Sequence, residues 1–457
     1  MQITLPWILS RRRLVTAAVL DGVLFAGIYY PLFQWRFERW PGFSLRLAIL
    51  LAIWLLCSYI FGRYASGDAK RRFDVGLSLI RQIASTALVL TVTLGITVLH
   101  LWLFNRNPVE ATFRSFLLPF LGSLAVVSFS AQLMLARVVS ATGSSENHLW
   151  RFVGSSAGFE QLQQSLQWSR LPVSLLRATP KQLIASSPQL IVVDDFNAED
   201  SDVLQHLLQL QQTGSTVLSR MSWCESVLQR FPSAFLADAD LLCGDFSMRS
   251  GTLQSRLKRT GDLVVASILL LITSPLLLIS ALLIKMSDGG PVFYSQIRTG
   301  FGGQPYRIWK LRSMRIDAEK KGVQWSTRSD SRITRIGAIL RRTRLDELPQ
   351  LWCVICGQMS LIGPRPERPE FDNKLEKEIP HYSLRHSMKP GLSGWAQVNY
   401  PYGASVEDSA NKLSYDLYYL RNFSFLLDLL ILFKTIRLVF NAHGALPVSP
   451  EYEKTSS

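Results

Sequence analysis

The sequence predicts a membrane protein of α and α/β parts, and three observations carry that fold class. Apolar residues make up 48% of the 457 and charged ones only 18%, with a positive mean hydropathy of +0.17. That is too little charge for a disordered polyelectrolyte and too much apolar content for an ordinary soluble chain. Long apolar runs recur between residues 14 and 138 and again at 262–285, whereas from Trp150 the pattern changes to short strands, glycine turns and amphipathic helices. The length allows roughly three domains. Cys57, Cys224, Cys243, Cys353 and Cys356 are a sparse, odd set, so no disulfide framework is expected and the soluble parts belong in a reducing cytoplasm.

The first region, residues 1–140, holds apolar runs at Leu14–Phe33, Leu45–Phe61, Ile83–Phe104 and Phe116–Val138, each about 18 to 23 residues and read as a transmembrane helix. The first follows Arg11, Arg12 and Arg13, but no small-residue cleavage site comes after it, so it is read as a retained span rather than a signal peptide. Those arginines, with Arg63, Lys70, Arg71, Arg72 and Arg81 after the second run, outnumber the basic residues of the other loops. The positive-inside bias then puts the amino terminus and everything after the fourth run in the cytoplasm of an inner membrane.

Residues 148–247 read as an α/β domain: RFVGSSAGFEQLQQSL gives strand, turn and helix, and LIVVDDF at Leu190–Phe196 gives a buried strand. The turn lacks the G-x-G-x-x-G spacing that lets a backbone approach a pyrophosphate, so a degenerate Rossmann-like domain of structural or regulatory character is the reading. Asp194 and Asp195 at the strand end are assigned as turn residues.

A fifth apolar run, Asp262–Lys285, is also long enough to span, but Ser274 and Pro275 sit at its middle. Pro275 offers no N–H to the carbonyl of Leu271 and its ring crowds that carbonyl, so a kink is expected. From this segment alone, a full span and a run that enters, bends and returns both stay open. Arg256, Lys258 and Arg259 just before it suit anionic lipid headgroups.

The stretch Leu340–Phe371 is the richest in chemistry. Asp346 and Glu347 stand side by side before a helical run with Pro349 in its first turn, where unsatisfied N–H groups favour anions. Arg341, Arg342 and Arg344 precede them, and Arg365 follows in Gly363-Pro364-Arg365-Pro366. A carboxylate pair among arginines suits phosphate chemistry: one carboxylate for a hard divalent ion, one to attack phosphorus, and arginines for the phosphoryl oxygens. An isolated Asp-Glu pair would more ordinarily be a helix cap with surface ion pairs.

The neighbouring blocks change that balance. KRTGDLVVASILLLITSPLLLI, GGPVFYSQIRTGFGGQPYRIWKLRSMRIDAE, DSRITRIGAILRRTRLDELPQL, GQMSLIGPRPERPEF, HSMKPGLSGWAQVNYPYG and KLSYDLYYLRNFSFLLDLLILFKT occur in order from Arg256 to about Asn441. This part of the chain resembles the bacterial sugar transferases, the monotopic phosphoglycosyl transferases, and the helices and α/β domain upstream resemble the large members that act on polyprenyl phosphate. The resemblance implies transfer of a hexose 1-phosphate from a UDP-sugar to undecaprenyl phosphate with release of UMP. It makes Asp346 the nucleophile that forms a phosphosugar-aspartyl intermediate and Glu347 the ligand of Mg²⁺. It also gives Lys310, Arg341 and Arg365, with Arg312 as a lesser candidate, the diphosphate or lipid phosphate to hold. Ser274-Pro275 becomes the break of a re-entrant helix spanning 262–285, inside a mostly helical catalytic domain at 252–445 that faces the cytoplasm, with 446–457 as a tail. Membrane lipids and a second copy, as a homodimer, are the further partners implied.

Other features are assigned more plainly. Cys353 and Cys356 form a C-x-x-C with no second pair or nearby histidine, so core thiols are expected, and Cys353 departs from the family's usual asparagine. His381 and His386 are read as solvated, and Tyr415–Phe440 as an interfacial amphipathic helix. The net charge of +15 gathers beside membrane segments, which favours anionic lipid and diphosphate over nucleic acid. Two rival readings stand: a catalytically silent scaffold or regulator of polysaccharide export, and the same chemistry with an N-acetylated or amino sugar.

Overall fold

The computed structural model describes residues 12–42, 45–61, 63–64, 74–104, 114–142, 148–166, 173–183, 189–236, 241, 246, 253–316, 318, 330–400, 403 and 405–440. The expected tail at 446–457, the domain edges at 247, 252 and 441–445, and the basic residues Arg11 and Lys70 to Arg72 lie outside them. The chain divides into two compact units, Met1–Asn147 and His148–Ser457.

The first unit has helices α1 (Arg12–Phe37), α2 (Leu45–Ile60), α3 (Asp74–Phe104) and α4 (Arg114–Thr142), with α1 packed on α4 and α2 on α3. Phe25, Tyr29, Phe33, Phe116 and Phe120 form an aromatic seam between α1 and α4, joined by Trp54 in one buried cluster. Residues 14–37, 82–99 and 115–135 are long and apolar enough to cross a membrane. The second helix, read from sequence as a span, has 16 residues, so at 1.5 Å per residue it runs about 24 Å, short of a hydrocarbon core of about 30 Å. A polar knot lies inside this apolar bundle. Asp21 Oδ2 accepts from Arg63 Nη1 (3.3 Å) and Tyr64 OH (2.8 Å), and Oδ1 accepts from Gln132 Nε2 (3.0 Å) and from Ser128 Oγ.

The second unit opens with a four-stranded parallel sheet of order β2-β1-β3-β4, from β1 (His148–Val153), β2 (Val173–Arg177), β3 (Leu190–Val193) and β4 (Thr216–Ser219). Helices α5 (Ser156–Leu166) and α6 (Ser201–Gln212) supply the crossovers. Asp194, assigned from sequence as a turn residue, fills the glycine turn after β1: a Cβ added at Gly158 would lie 2.4 Å from its Oδ2. Its carboxylate accepts from Ser155 Oγ (2.7 Å) and pairs with Arg220 (2.6 Å). The chain's own carboxylate therefore fills the space at the start of α5.

After the short helix α7 (Arg220–Trp223) comes α8 (Leu253–Asp288), 36 residues of continuous helix through Ser274-Pro275. Ser274 Oγ donates at 2.8 Å to Leu271 O, the carbonyl that proline leaves without its N–H. Along the middle, Leu271 is 75% and Leu278 72% exposed. Both ends are fastened to the same body. At the start, Lys258 Nζ donates to Ile362 O (2.9 Å) and Asp428 Oδ2 (2.8 Å), and Asp262 accepts from Leu361 N (3.1 Å). At the end, Ile284 packs on Leu311 and Leu340.

The rest is a compact set of short elements: hairpin β5 (Phe293–Thr299) and β6 (Pro305–Leu311), α9 (Arg335–Arg342), a 3₁₀ turn at Leu345–Gln350, α10 (Leu351–Ile355), β7 (Ser360–Ile362), α11 (Pro369–Glu378), β8 (Gly391–Ser393), α12 (Trp395–Asn399), α13 (Val406–Asn422) and α14 (Phe425–Phe440). The closing stretch differs from the single interfacial helix read from sequence. It is two helices, and Leu413 to Leu420 on α13 are buried core, while Phe425 and Leu426 on α14 are about half exposed.

Candidate active site

The loop between α9 and α10 presents the dyad. Thr334 Oγ1 caps α9 by accepting from Gly337 N (2.9 Å), and a Cβ at Gly337 would lie 1.9 Å from Ser313 O, so only glycine lets α9 press against the strand end. The helix stops at Thr343, and Arg344 at φ +58 turns the chain by adopting a left-handed conformation uncommon outside glycine. Asp346 and Glu347 follow in the 3₁₀ turn rather than in a regular α-helical first turn, with Pro349 inside it.

Two other elements bring the basic partners. β6 carries Lys310, opposite Tyr294 on β5. Arg365 comes from the Gly363–Pro366 turn that leaves β7, and this turn is backed by the KPG segment. A Cβ at Gly391 would lie 2.1 Å from Gly363 N, so the glycines of that segment allow two backbones to touch.

Asp346 is 7% and Glu347 8% exposed. Glu347 Oε1 accepts from Lys310 Nζ (2.9 Å) and Arg365 Nη2 (2.5 Å), and Oε2 from Arg365 Nη1 (3.4 Å), with Arg344 Nη1 at 3.7 Å. Asp346 Oδ1 is buried and has no hydrogen-bond partner among the described residues. Burial, then the neighbouring Glu347 charge, push the Asp346 carboxyl up to about 6. For Glu347 burial acts upward too, but Arg365, Lys310 and Arg344 outweigh it and hold its carboxyl well below the usual range. Burial lowers the Lys310 ammonium, with Glu347 opposing. Adjacent carboxylates thus acquire opposite characters: Glu347 is a fixed anion, and Asp346 is a desolvated, poorly stabilised one.

The remaining basic residues sit farther back. Arg341 Nε donates to Ser313 Oγ (3.1 Å), and its charge reaches Asp346 electrostatically. Arg312 pairs with Asp288 at the end of α8 instead of with the dyad. Ser274 and Pro275 lie within α8 and contribute no side chain to the dyad contacts. Sequence reasoning passed over three arginines. Arg344 was named only as a neighbour, and its left-handed turn has no signature in the residue type. Arg298 Nη1, on β5, donates to Pro366 O (3.2 Å), and Arg385 Nη2 donates to Arg365 O (2.7 Å), so both hold the turn that carries Arg365.

The histidines read as solvated are partly buried: His386 lies 3.7 Å from Asp372, and His381 Nε2 is 3.3 Å from Leu236 O. Cys353 is buried and Cys356 exposed. No group of three or more His, Cys, Asp or Glu side chains gathers among the described residues. Among the described residues a divalent ion here would have Glu347 as its carboxylate ligand and would complete its shell with phosphate oxygens and water. That is the arrangement magnesium favours, so the residues fit it.

Known proteins are similar to the part of the chain that holds these residues. Residues 253–442 match the bacterial sugar transferase family. A UDP-N-acetylgalactosamine-undecaprenyl-phosphate N-acetylgalactosaminephosphotransferase from Aeromonas hydrophila is 47% identical over 189 residues, covering 41% of this chain and 45% of the relative. A UDP-glucose:undecaprenyl-phosphate glucose-1-phosphate transferase from Escherichia coli is 42% identical over 182 residues, 39% of each chain. The match therefore spans less than half the length of these two relatives. An exopolysaccharide production protein from Rhizobium leguminosarum is 41% identical over 186 residues, which is 39% of this chain and 93% of the relative. With almost that whole relative matched, and the dyad, Lys310 and Arg365 converging in the matched region, the chain belongs to the bacterial sugar transferase family.

Proposed function

We propose that this protein transfers a sugar 1-phosphate, in the first instance a hexose 1-phosphate, from a UDP-sugar to undecaprenyl phosphate at the cytoplasmic face of the inner membrane, as the first membrane step of surface polysaccharide synthesis. The observation that carries the reading is the dyad: a buried Asp346 oxygen without a partner among the described residues, beside a Glu347 ringed by Lys310, Arg365 and Arg344. Asp346 attacks the sugar-bearing phosphorus of the donor, and the bond from that phosphorus to the bridging oxygen breaks, so UMP leaves. The phosphosugar then sits on Asp346 as an acyl phosphate. A phosphate oxygen of undecaprenyl phosphate attacks the same phosphorus, giving undecaprenyl-diphosphate-sugar and freeing the carboxylate.

Lys310 and Arg365 neutralise the phosphoryl oxygens as charge builds, having been oriented beforehand by Glu347. Glu347, with the donor's phosphates, would hold Mg²⁺, which when bound would offset the charge building on the phosphate of the departing UMP. Arg341 supports Asp346 through its field. A lipid acceptor and a cytoplasmic donor can meet only at the membrane surface, and a re-entrant α8 would keep the site there. That reading of α8 is supported by its exposed apolar middle, by Pro275 near its centre and by the packing of both of its ends on the same body, through Lys258 and Ile284. In the same reading the sheet at 148–219 is a degenerate Rossmann-like domain and the working species is a homodimer.

The test is UMP release by the purified full chain in detergent with undecaprenyl phosphate and Mg²⁺, over a donor panel beginning with UDP-glucose and UDP-N-acetylgalactosamine. One donor giving release that Asp346→Asn abolishes supports the reading. No release with any donor from folded protein would favour the silent scaffold. Glu347→Gln is expected to lower activity about a hundredfold and to raise the Mg²⁺ needed for half-maximal rate.

A further inference from the structure

The end of the α/β domain grips the catalytic region in an unusual way. After α7 the chain makes a π-turn at Cys224–Leu228 and then places Gln229 at φ +54. Both conformations are costly and persist where the surroundings demand them. Here they aim main-chain and side-chain groups at α13 and α12. Phe231 N donates to Ser414 O (2.8 Å), Arg230 Nη1 donates to Asn411 Oδ1 (3.0 Å), and Gln229 O accepts from Trp395 Nε1 (3.0 Å). Glu225 adds Asn422 Nδ2 (3.0 Å) and Arg421 Nε (3.3 Å). Arg230 is 1% exposed, with its guanidinium 5.6 Å from the centre of the Tyr415 ring.

The stretch of α13 so clasped also carries Asp416, on a different stripe of the helix from Asn411, Tyr415 and Asn422. Asp416 is 3% exposed and pairs with Arg385 at 3.2 Å. Arg385 in turn donates to the main-chain carbonyl of Arg365 (2.7 Å), the residue whose guanidinium holds Glu347. A continuous set of buried contacts therefore runs from the α/β domain through α13 to the Arg365 turn.

We propose that the α/β domain is a positioning element for the transfer: residues 225–231 hold α13 in register so that Asp416 and Arg385 fix the Arg365 turn against the dyad. Arg230 and Arg385 are positioning residues here, since neither reaches Asp346 or Glu347 in the contacts above. The proposal rests on the transfer reading for its kinetic consequence, but its structural content does not.

Two measurements on the full chain separate the two. Hydrogen exchange of peptides covering 363–368 is compared among wild type, Arg230→Ala, Arg230→Lys and Asn411→Ala, the last removing only the acceptor on α13 in case Arg230→Ala fails to fold. Exchange there is expected to rise about tenfold in the alanine variants. UMP release is expected to lose about ten- to hundredfold in kcat with donor KM changed less than threefold, Arg230→Lys recovering part of both. Folded alanine variants with unchanged exchange at 363–368, or with faster exchange there but unchanged kcat, would overturn the proposal. If wild type itself releases no UMP, the transfer reading falls, while the exchange result still decides whether the α/β domain holds the turn.

Discussion

Asp21 and Asp346 are both buried carboxylates with arginines nearby, yet their surroundings treat them oppositely. Asp21, in the first unit, has both oxygens engaged, by Arg63 and Tyr64 on one and by Ser128 and Gln132 on the other. Asp346, in the second, leaves Oδ1 without a partner among the described residues, while Lys310 and Arg365 converge on Glu347 instead. A carboxylate given a full set of donors holds helices together, because removing it strands a buried cation. A carboxylate denied them is raised in energy and poised to share its electrons with an electrophile. The difference separates an acid whose donors tie its surroundings together from one whose buried oxygen is left open, as the proposed nucleophile requires.

The comparison can be broken most sharply at Asp346. Replacing it with Asn is expected to cut UMP release on the order of 10⁴-fold while leaving the melting temperature intact or higher. The sign follows from its carboxyl standing at about 6 in the folded protein, above the value of about 3.9 in an unfolded chain. Below both values the folded state bears no cost; as pH rises through that window the unfolded chain ionises first, and stability falls. Above it, Asp346→Asn should be more stable than wild type by about 1–3 kcal/mol, an advantage that thermal unfolding should see at pH 8 and lose by pH 4. Asp21→Ala should do the reverse: about 3–5 kcal/mol of destabilisation from the stranded Arg63, read as a lower unfolding midpoint in detergent, with UMP release per folded molecule within about twofold of wild type.

The pH profile sharpens the contrast further. With Asp346 needed as a carboxylate, kcat/KM should fall on the acid side with a midpoint near 6. A profile flat down to pH 5 would separate Asp346 from the rate. The smallest effect belongs to a single donor of the satisfied site. Tyr64→Phe removes one of the hydrogen bonds to Asp21 and should cost about 1 kcal/mol, measured by the same thermal unfolding.

Much of the site was legible because it is local. Asp346 and Glu347 are adjacent and Arg365 sits in a rigid Gly-Pro-Arg-Pro turn, whereas Lys310 entered only through the family resemblance; the structure puts Lys310 and Arg365 on Glu347, next to Asp346. Arg312 and Arg341 share the same composition signal but point to Asp288 and Ser313, a distinction set by tertiary packing. Arg385 was invisible because its partners, Asp416 and the carbonyl of Arg365, are distant in sequence. The helices of the first unit follow their apolar runs, α2 covering all but the last residue of its run. The aromatic stripe from Tyr415 misled for a physical reason: a helix apolar on most sides suits a membrane surface and a protein core equally well, and on α13 the core takes it.

The central claim is that Asp346 carries the phosphosugar between donor and acceptor. Incubating the protein with the active UDP-sugar and Mg²⁺ but no undecaprenyl phosphate, then measuring UMP and the mass of the peptide containing Asp346, tests it directly. The account predicts a burst of UMP equal to the enzyme present and a phosphosugar mass on that peptide, both lost in Asp346→Asn and discharged when the lipid phosphate is added. UMP appearing only once the acceptor is present, with no adduct at any time, would contradict it and point to direct transfer between the two substrates.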